Sequence, residues 1–439
     1  MATKLERARG TRDFSGGEAL LRQKVVATLR SVFELYGYNP LETPVLEKFE
    51  TLASKYAGGE EILKETFKLK DQGERELGLR YDLTVPMCRF IATNPNLKMP
   101  FKRYQIGAVF RDGPLKIGRY REFTQCDVDV VGVKSMAADA EMVEIAQRAF
   151  QQLRLGVVIK VNSRKLLNGI LAAAGVKADK AETCILTMDK LEKTGQQAVE
   201  KELGEKGIAS SVTKKLLAMI TASGSNKEKL AKVESEISST EGKEGLKEMR
   251  ELLDNLESTA NVEFDPSLAR GLAYYTGTVF EVFLNVDNQK VKEIKSAVAA
   301  GGRYNKMIGN FVGGNREYPA VGISFGLDII EDALKLMGRD VKKTTTAVYI
   351  IPVKMADEAR KVAAELRKKG INSDSDLSGR DVRKNLEYAA AAGIPYVIFI
   401  GEKEAKTGKL SVREMKSGKE ETLTIEELAQ KLAAAFDTK

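Results

Sequence analysis

Residues 101 to 132 have the sequence FKRYQIGAVFRDGPLKIGRYREFTQCDVDVVG, around which the rest of the chain is organised. It predicts two antiparallel strands, roughly Tyr104 to Arg111 and Arg119 to Val131, joined by a loop that contains glycine and proline. Because side chains alternate across a strand, the second strand has an apolar face and a polar face. The apolar face holds Thr124, Cys126, Val128 and Val130, and the other face holds Arg119, Arg121, Phe123, Gln125, Asp127 and Asp129.

The polar face of this hairpin permits two interpretations. Periodicity alone favours an amphipathic hairpin whose polar face is solvated. The alternative is a phosphate-handling site, because Arg111 ends the first strand beside a flexible basic loop and a fixed guanidinium can bind phosphate with two hydrogen bonds. The residues by themselves leave both interpretations open.

Composition indicates a globular protein of several domains. The chain has 439 residues, of which 43% are hydrophobic and 30% are charged, and this length predicts roughly two to four domains. The formal charge of +8 is compatible with a polyanionic partner, although many basic proteins bind none. The polar amino terminus and the lack of long apolar runs predict neither a signal peptide nor a membrane span.

Histidine and cysteine usage excludes several kinds of chemistry. The sequence contains no histidine, so Ser-His-Asp triads and HExxH metal sites are excluded. Its three cysteines, Cys88, Cys126 and Cys184, are far apart and form no CxxC pair, which supports neither a zinc ribbon nor a disulfide framework. A reducing cytoplasm is therefore the simplest setting.

Changes in composition along the chain suggest its domain organisation. Residues 163–260 are rich in Lys, Glu, Ala and Leu and largely helical in pattern, which predicts a helical insertion. After a polar linker near residue 341, strands alternate with helices, which predicts a small parallel or mixed sheet covered by helices. The predicted domains are residues 1–162 together with 261–340, the insertion 163–260, and a final domain 346–439.

Several motifs follow one another in the order found in a known family. The hairpin, with FRDGP and then GRYREFTQCDVDVVG, closely resembles motif 2 of class II aminoacyl-tRNA synthetases in the form found in histidyl-tRNA synthetases. GTRDF from Gly10, LARGLAYYTGTVFEV from Leu268, AAGGRY from Ala299 and the motif 3-like stretch from Tyr318 strengthen that resemblance. It implies an α+β catalytic core with a mainly antiparallel sheet flanked by helices, a helical insertion, and a C-terminal α/β anticodon-binding domain.

The resemblance also implies a reaction and its partners. It implies ATP-dependent attachment of histidine to tRNA(His) through a histidyl-adenylate, with Mg²⁺ accompanying ATP, in a cytoplasmic homodimer without a membrane segment. The implied catalytic residues are Arg111 and Arg270. The implied histidine-binding residues are Asp82, Thr84, Gln125, Asp129, Tyr274, Tyr275 and Tyr304, and the implied ATP-binding residues are Arg111, Arg119, Arg121 and Gly326.

Some of these residues also have a purely structural interpretation. Asp82 precedes a predicted helix, which it could cap, and Tyr274 and Tyr275 belong to a predicted strand, where tyrosines usually pack. Arg380, Arg383 and Lys384 open a helix in the last domain near the expected RNA-binding face, but that domain could equally bind nucleotides or protein.

Three positions depart from the family pattern. Ala273 and Asn305 stand where the family usually has aspartate, and Ile329 stands where motif 3 normally supplies an arginine for ATP. A catalytically impaired paralogue, acting as a histidine-sensing regulatory or RNA-binding protein, is therefore the alternative hypothesis.

Overall fold

The structure is a computed structural model that describes residues 5–53, 60–115, 118–269, 274–313, 316–338 and 342–436. The chain divides into two compact units. The first unit comprises Met1–Arg12 and Val25–Arg339, and the second comprises Asp13–Lys24 and Asp340–Lys439.

The first unit is built on an eight-stranded sheet with the order β1-β5-β6-β11-β10-β9-β7-β8. Its strands are β1 Asn39–Pro40, β5 Phe101–Phe110, β6 Glu122–Val131, β7 Val157–Ser163, β8 Val262–Phe264, β9 Thr278–Leu284, β10 Ala299–Arg303 and β11 Ala320–Gly326. A smaller sheet holds β2 Leu46–Lys48, β3 Lys68–Lys70 and β4 Glu76–Leu79 in the order β2-β4-β3. The edge pairs β1 with β5 and β7 with β8 are parallel, and the other described pairs of the large sheet are antiparallel.

The hairpin formed by β5 and β6 pairs ten residues with ten, from Phe101 opposite Val131 to Phe110 opposite Glu122. The second strand begins at Glu122, three residues later than predicted, so Arg119 and Arg121 belong to the connecting loop. The backbone is still turning there, because Gly118 has a φ of +73° and Arg121 donates its backbone N–H to Gly10 rather than to β5.

The two faces of β6 alternate as the sequence predicts. Cys126 and Val128 are fully buried in the core on one face. The interpretation of the other face as solvated is wrong, because Asp127 and Asp129 are each only 3% exposed. Periodicity assigned these side chains to the correct face, but other parts of the fold cover them.

Helices also lie along the chain before β7 and after β10. They are α1 Gly16–Leu35, α2 Phe49–Leu52, α3 Glu60–Lys64, α4 Thr84–Ala92, α5 Ala137–Gln152, α13 Met307–Val312 and α14 Leu327–Leu336. Phe325 of β11 lies between Phe33 of α1 and Phe150 of α5, with ring centroids 5.6 and 5.7 Å away. These contacts fix the helices on the sheet face opposite Gln125 and Asp127 by burying large aromatic surfaces.

A group of helices occupies the segment between β7 and β8. It comprises α6 Arg164–Ala174, α7 Ala181–Met188, α8 Leu191–Thr194, α9 Gln196–Glu205, α10 Ser210–Ile220, α11 Asn226–Glu236 and α12 Thr240–Asn255, with a 3-10 turn at Ala178–Lys180. Helices α6 and α12 cross closely because Gly169 and Gly242 face each other, and a Cβ on Gly242 would lie 2.9 Å from the Cα of Gly169. Ser225 and Glu228 form a capping box at the start of α11.

The second unit contains a mixed five-stranded sheet with the order β13-β12-β14-β15-β16. Its strands are β12 Val348–Pro352, β13 Ser373–Ser375, β14 Tyr396–Ile400, β15 Leu410–Glu414 and β16 Glu420–Leu423. Its helices are α15 Ala356–Lys368, α16 Val382–Ala392, α17 Glu402–Thr407 and α18 Ile425–Phe436. The strands β13, β12 and β14 are parallel and the last two are antiparallel, which confirms the predicted mixed sheet.

The predicted fold class is confirmed: a mainly antiparallel sheet flanked by helices, a helical segment, and an α/β C-terminal unit. Among the residues that the structure describes, no helix is long and apolar enough to span a membrane.

Candidate active site

A cavity of about 1180 Å³ lies over the polar face of the large sheet. Strands β6, β9, β10 and β11 form its floor, and the start of α4 and the end of β5 contribute to its walls. The sequence-predicted site residues that line it are Asp82, Thr84, Arg111, Arg119, Gln125, Asp129, Tyr274, Tyr275, Tyr304 and Gly326. The fold thus brings together residues that are spread over more than half of the chain.

Of the other predicted residues, Arg121 is described and is not in this lining. Arg121 instead forms a 3.1 Å ion pair with Asp112 in the hairpin loop. Arg270, the other predicted catalytic arginine, and Ala273 lie outside the described residues.

Asp129 is held from two sides. The hydroxyl of Tyr304 donates a hydrogen bond to its Oδ1, and Nη2 of Arg103 lies 2.7 Å from its Oδ2. Arg103 is directly opposite Asp129 in the β5–β6 register and its side chain is 1% exposed. Burial raises the pKa of Asp129, while the positive charge of Arg103 opposes that rise. Arg103 was missed from the sequence because it stands one residue before the predicted start of the strand and no local pattern sets it apart from its neighbour Lys102.

Glycines make room for Asp129 at the centre of the sheet. A Cβ on Gly322 would overlap the carboxylate of Asp129, and a Cβ on Gly301 would overlap the carbonyl oxygen of Gly322. A Cβ on Gly302 would lie only 2.7 Å from the ring of Tyr275. Gly301 and Gly302 lie within β10, where glycine allows neighbouring groups to approach.

Asp82 and Arg111 form a second charged region of the cavity. Oδ1 of Asp82 accepts a 2.9 Å hydrogen bond from the backbone N–H of Val85, so this residue does stabilise the start of α4. Burial raises the pKa of Asp82 to about 6. Nε of Arg111 donates to the carbonyl oxygen of Tyr81 at 3.0 Å, and its guanidinium lies 5.1 Å from the ring centroid of Phe123. These contacts fix the direction of the arginine.

The three tyrosines form one aromatic wall. The ring centroids of Tyr274 and Tyr275 are 4.6 Å apart, and Tyr304 meets the ring of Tyr274 edge-on at 6.2 Å. Tyr275 and Tyr304 are 8% and 3% exposed. They lie outside the strands β9 and β10 rather than within them, but they are packed and also line the cavity, so the two interpretations from sequence are compatible.

Asn305 occupies a hydrogen-bonded turn rather than the cavity. Its side-chain oxygen accepts from the backbone N–H of Ala320 at 3.3 Å and lies 3.5 Å from Nη1 of Arg303. The carboxylate of Asp139 already pairs with Arg303. A neutral amide therefore suffices where the family usually has aspartate, since the charge of the arginine is already balanced.

Ile329 lies in the first turn of α14 and faces the end of the hairpin loop. Its Cδ1 is 3.8 Å from the position that a Cβ on Gly118 would take, which is van der Waals distance. The preceding residue, Asp328, accepts a 2.8 Å hydrogen bond from the backbone N–H of Thr124 and forms an ion pair with Arg12. The helix is thus anchored to β6, and the missing arginine leaves an apolar contact in its place.

The cavity also contains residues that the sequence analysis did not assign to it. Phe123 and Asp127 share the polar face of β6, so strand alternation was a signal for both. Lys190 and Lys206 come from the helical segment between β7 and β8, and both donate hydrogen bonds to Glu202, at 2.7 and 2.6 Å. Those hydrogen bonds lower the pKa of Glu202 to about 2. No local pattern in the sequence indicated that these lysines lie beside the sheet.

An antiparallel sheet that carries a long hairpin, with an arginine at its end and acids, glycines and tyrosines around one cavity, has the architecture of a class II aminoacyl-tRNA synthetase. Residues 10–330 match the histidyl-tRNA synthetase family, and residues 347–435 match the anticodon binding domain family. The chain belongs to the histidyl-tRNA synthetase family.

Individual relatives agree with this assignment. The chain is 42% identical to histidine--tRNA ligase 1 of Bacillus cereus over 98% of this chain and 99% of the relative. The crystal structure of histidyl-tRNA synthetase from Nostoc sp. PCC 7120 superimposes with a TM-score of 0.87 at 30% identity, covering 99% of this chain and 100% of that one.

A third relative shares the fold alone. It is a structure from Bacillus halodurans described as an ATP phosphoribosyltransferase regulatory subunit/histidyl-tRNA synthetase, with a TM-score of 0.75 at 23% identity. It covers 91% of this chain and 99% of its own. Nothing in these comparisons favours the regulatory alternative.

Proposed function

We propose that this chain is a histidine--tRNA ligase, which uses ATP to form histidyl-adenylate and then transfers the histidyl group to the tRNA terminus. The observation that carries the proposal is the single cavity where Arg111, Asp129 and the tyrosine wall meet, in a chain 42% identical to a ligase over nearly its full length. This chemistry depends mainly on positioning and on stabilising charge.

The histidine substrate is held at both of its ends. Asp82, Thr84 and the side-chain oxygen of Gln125 receive the α-ammonium group; that oxygen is buried, and no group in the described part of the chain donates a hydrogen bond to it. Asp129 and Tyr275 take the imidazole nitrogens, and Tyr304, with Tyr274 behind it, closes this end of the pocket. An amino acid lacking ring nitrogens leaves these buried groups unpaired, which disfavours it strongly.

Positive charge stabilises the reacting phosphate. Arg111 holds the α-phosphate and the substrate carboxylate, and Arg270 stabilises charge that develops at that phosphorus. Arg119, Arg121 and Gly326 contribute to ATP binding. Mg²⁺ accompanies the ATP phosphates.

The tRNA contacts two further regions. Residues 346–439 form the anticodon-binding domain, and the insertion, residues 163–260, brings Lys190 and Lys206 to the mouth of the cavity in the catalytic domain of residues 1–162 and 261–340. Two copies form a homodimer, which charges tRNA in the cytoplasm.

The test is ATP–pyrophosphate exchange measured with each protein amino acid in turn. Exchange should occur with histidine alone, and Arg270→Ala should abolish it while histidine binding measured by calorimetry changes less. Normal exchange in that variant would contradict the assignment. A wild-type protein that binds histidine but neither binds ATP nor exchanges pyrophosphate is a histidine sensor instead.

A further inference from the structure

The amino-terminal segment, residues 8–12, packs against the hairpin loop. The carbonyl oxygen of Gly10 accepts a 2.9 Å hydrogen bond from the backbone N–H of Arg121. A Cβ on Gly10 would lie 2.8 Å from the side chains of Arg121 and Leu115, so the segment and the loop are in close contact. The reaction described above assigns no part to this segment.

Arg12, at the end of the segment, connects the loop to α14. Its guanidinium forms an ion pair with Asp328, and its Nη1 lies 3.8 Å from Oδ1 of Asp332. The same guanidinium lies over the ring of Tyr120, with its carbon 3.5 Å from the ring centroid. Asp328 is only 4% exposed, and ion pairs and cation–π contacts strengthen as solvent is excluded. Arg12 therefore holds Tyr120 against the start of α14.

Ile329 makes a second contact between the same helix and the same loop. Its Cδ1 and Cγ1 lie 3.8 and 3.9 Å from the position that a Cβ on Gly118 would take. Gly118 and Tyr120 are the two neighbours of Arg119 in the chain, so the backbone of Arg119 is held on both sides. The side chain of Arg119 is exposed and lines the cavity.

The charge of Arg119 acts on the arginine at the end of β5. Burial lowers the pKa of Arg111, nearby acidic groups oppose that shift, and the positive charge of Arg119 adds to it. Two guanidinium groups that repel each other in this way form a favourable site for an anion between them, and a phosphate can accept hydrogen bonds from both.

We propose that Arg12 is a positioning residue for ATP, which fixes Arg119 at the cavity by holding Tyr120 against α14. Arg119 then supplies the positive charge that isoleucine at position 329 lacks. The inference rests on the proposed function, because it takes ATP as the anion at this end of the cavity. Arg12 is not among the described residues that line the cavity, so it acts through the loop and not by touching the nucleotide.

The test is steady-state pyrophosphate exchange with the full chain, at varied ATP and at varied histidine. Arg12→Ala should raise the KM for ATP by roughly 10- to 100-fold, because a small displacement of a substrate-binding group has an effect of this size. The KM for histidine should stay nearly unchanged. Arg12→Lys keeps a positive charge beside Asp328 but loses the planar contact with Tyr120, so it should restore only part of the wild-type KM for ATP.

A double variant separates positioning from a general loss of structure. If Arg12 acts through Arg119, adding Arg12→Ala to Arg119→Ala should raise the KM for ATP no further than Arg119→Ala alone. Independent effects, whose factors multiply in the double variant, would overturn the proposal. A lower unfolding temperature of Arg12→Ala with an unchanged KM for ATP would overturn it too, because Arg12 would then serve only the stability of the fold.

Tyr120→Leu tests the same contact should Arg12→Ala fail to fold, because it leaves the ion pair between Arg12 and Asp328 in place. It should also raise the KM for ATP, and an unchanged KM would count against the proposal. Arg75→Ala is the control, because Arg75 pairs with Asp71 at 2.7 Å in the turn between β3 and β4, away from the cavity lining. It should leave both KM values unchanged.

Failure of the proposed function is distinguishable from failure of this inference. In that case the wild-type protein itself would show no histidine-dependent pyrophosphate exchange, whereas an error about Arg12 alone would leave wild-type exchange intact.

Discussion

Arg103 and Asp129 face each other across the β5–β6 hairpin, with Nη2 of the arginine 2.7 Å from Oδ2 of the aspartate. Their side chains are 1% and 5% exposed. Arg103 does not line the cavity, whereas Asp129 does. The carboxylate that we propose for imidazole recognition is therefore held by a cation beneath the site, which substrate does not touch.

Replacing Arg103 by methionine should destabilise the protein by about 3–5 kcal/mol, because it leaves Asp129 as a buried charge without its partner. Chemical denaturation measures this loss. Lys48→Met is the control: Lys48 and Glu50 also form an ion pair, at 3.3 Å, but their side chains are 74% and 78% exposed. That change should cost less than about 1 kcal/mol. Equal losses of stability in the two variants would show that the buried Arg103–Asp129 pair contributes no more to stability than the exposed pair.

Gly322→Ala should displace Asp129, because the added Cβ would overlap its carboxylate. We expect a loss of about 1–3 kcal/mol of stability from overpacking and a raised KM for histidine. Gly204→Ala provides the comparison, since no atom lies within 4 Å of its added Cβ and the residue is in the helix α9. It should leave KM unchanged and stability equal or slightly higher. Unaltered histidine kinetics in Gly322→Ala would contradict the observed packing.

The stability difference between Asp127→Asn and the wild type should depend on pH. Burial raises the pKa of Asp127 from the ordinary 3.8 to about 7 in the folded protein. The folded state therefore binds the proton more tightly, and the wild type loses stability as the pH rises from about 4 to about 7. Asparagine does not titrate. The free energy of unfolding of the variant relative to that of the wild type should therefore increase over this range, by at most about 1.4 kcal/mol per pH unit.

Urea denaturation of both proteins at about pH 5 and about pH 8 measures this difference. Other groups, such as Asp82 with its raised pKa, are present in both proteins and largely cancel. A difference that stays constant between the two pH values would mean that Asp127 does not titrate there.

The enzyme should be active with a raised KM for ATP, because isoleucine at position 329 supplies neither charge nor a hydrogen bond. A hydrogen bond to a charged group contributes about 1.5–3 kcal/mol, so Ile329→Arg should lower the KM for ATP by roughly 10- to 150-fold. Steady-state pyrophosphate exchange at varied ATP measures it, and Ile329→Met is the apolar control. Arg119→Ala should raise that KM further, since Arg119 lines the cavity. No change in ATP kinetics with Ile329→Arg would argue against the motif 3 alignment.

The C-terminal unit has an exposed surface that we expect to contact tRNA. Leu377 is 84% exposed, and the guanidinium of Arg380 lies 4.8 Å from the ring centroid of Tyr388, which is 40% exposed. Arg380→Ala should weaken tRNA charging, with part of the loss dependent on salt, and leave pyrophosphate exchange intact. Lys361→Ala is the control, because Lys361 lies on α15 in an exposed pair with Glu358. Full-rate charging by Arg380→Ala at all salt concentrations would place the tRNA contact elsewhere.

Local patterns in the sequence were sufficient for much of the fold. Alternation along residues 122–131 assigned Gln125, Asp127 and Asp129 to one face of a strand, as the structure has them. Alternating strands and helices after residue 346 predicted the mixed sheet of the second unit. These predictions succeed because backbone geometry fixes the direction of each side chain within a few residues.

The surroundings of those side chains depend on contacts between distant parts of the chain. The strand β11, nearly 200 residues further along the chain, lies beside β6 and brings Gly322 against Asp129 and Ser324 against Asp127. The lysines of the helical segment reach the same cavity from another direction. The sequence therefore determined the face on which the acids lie. The pairing of distant strands determined their burial, and with it the cation under Asp129 and the raised pKa of Asp127, because solvation and electrostatic partners depend on contacts that no local periodicity encodes.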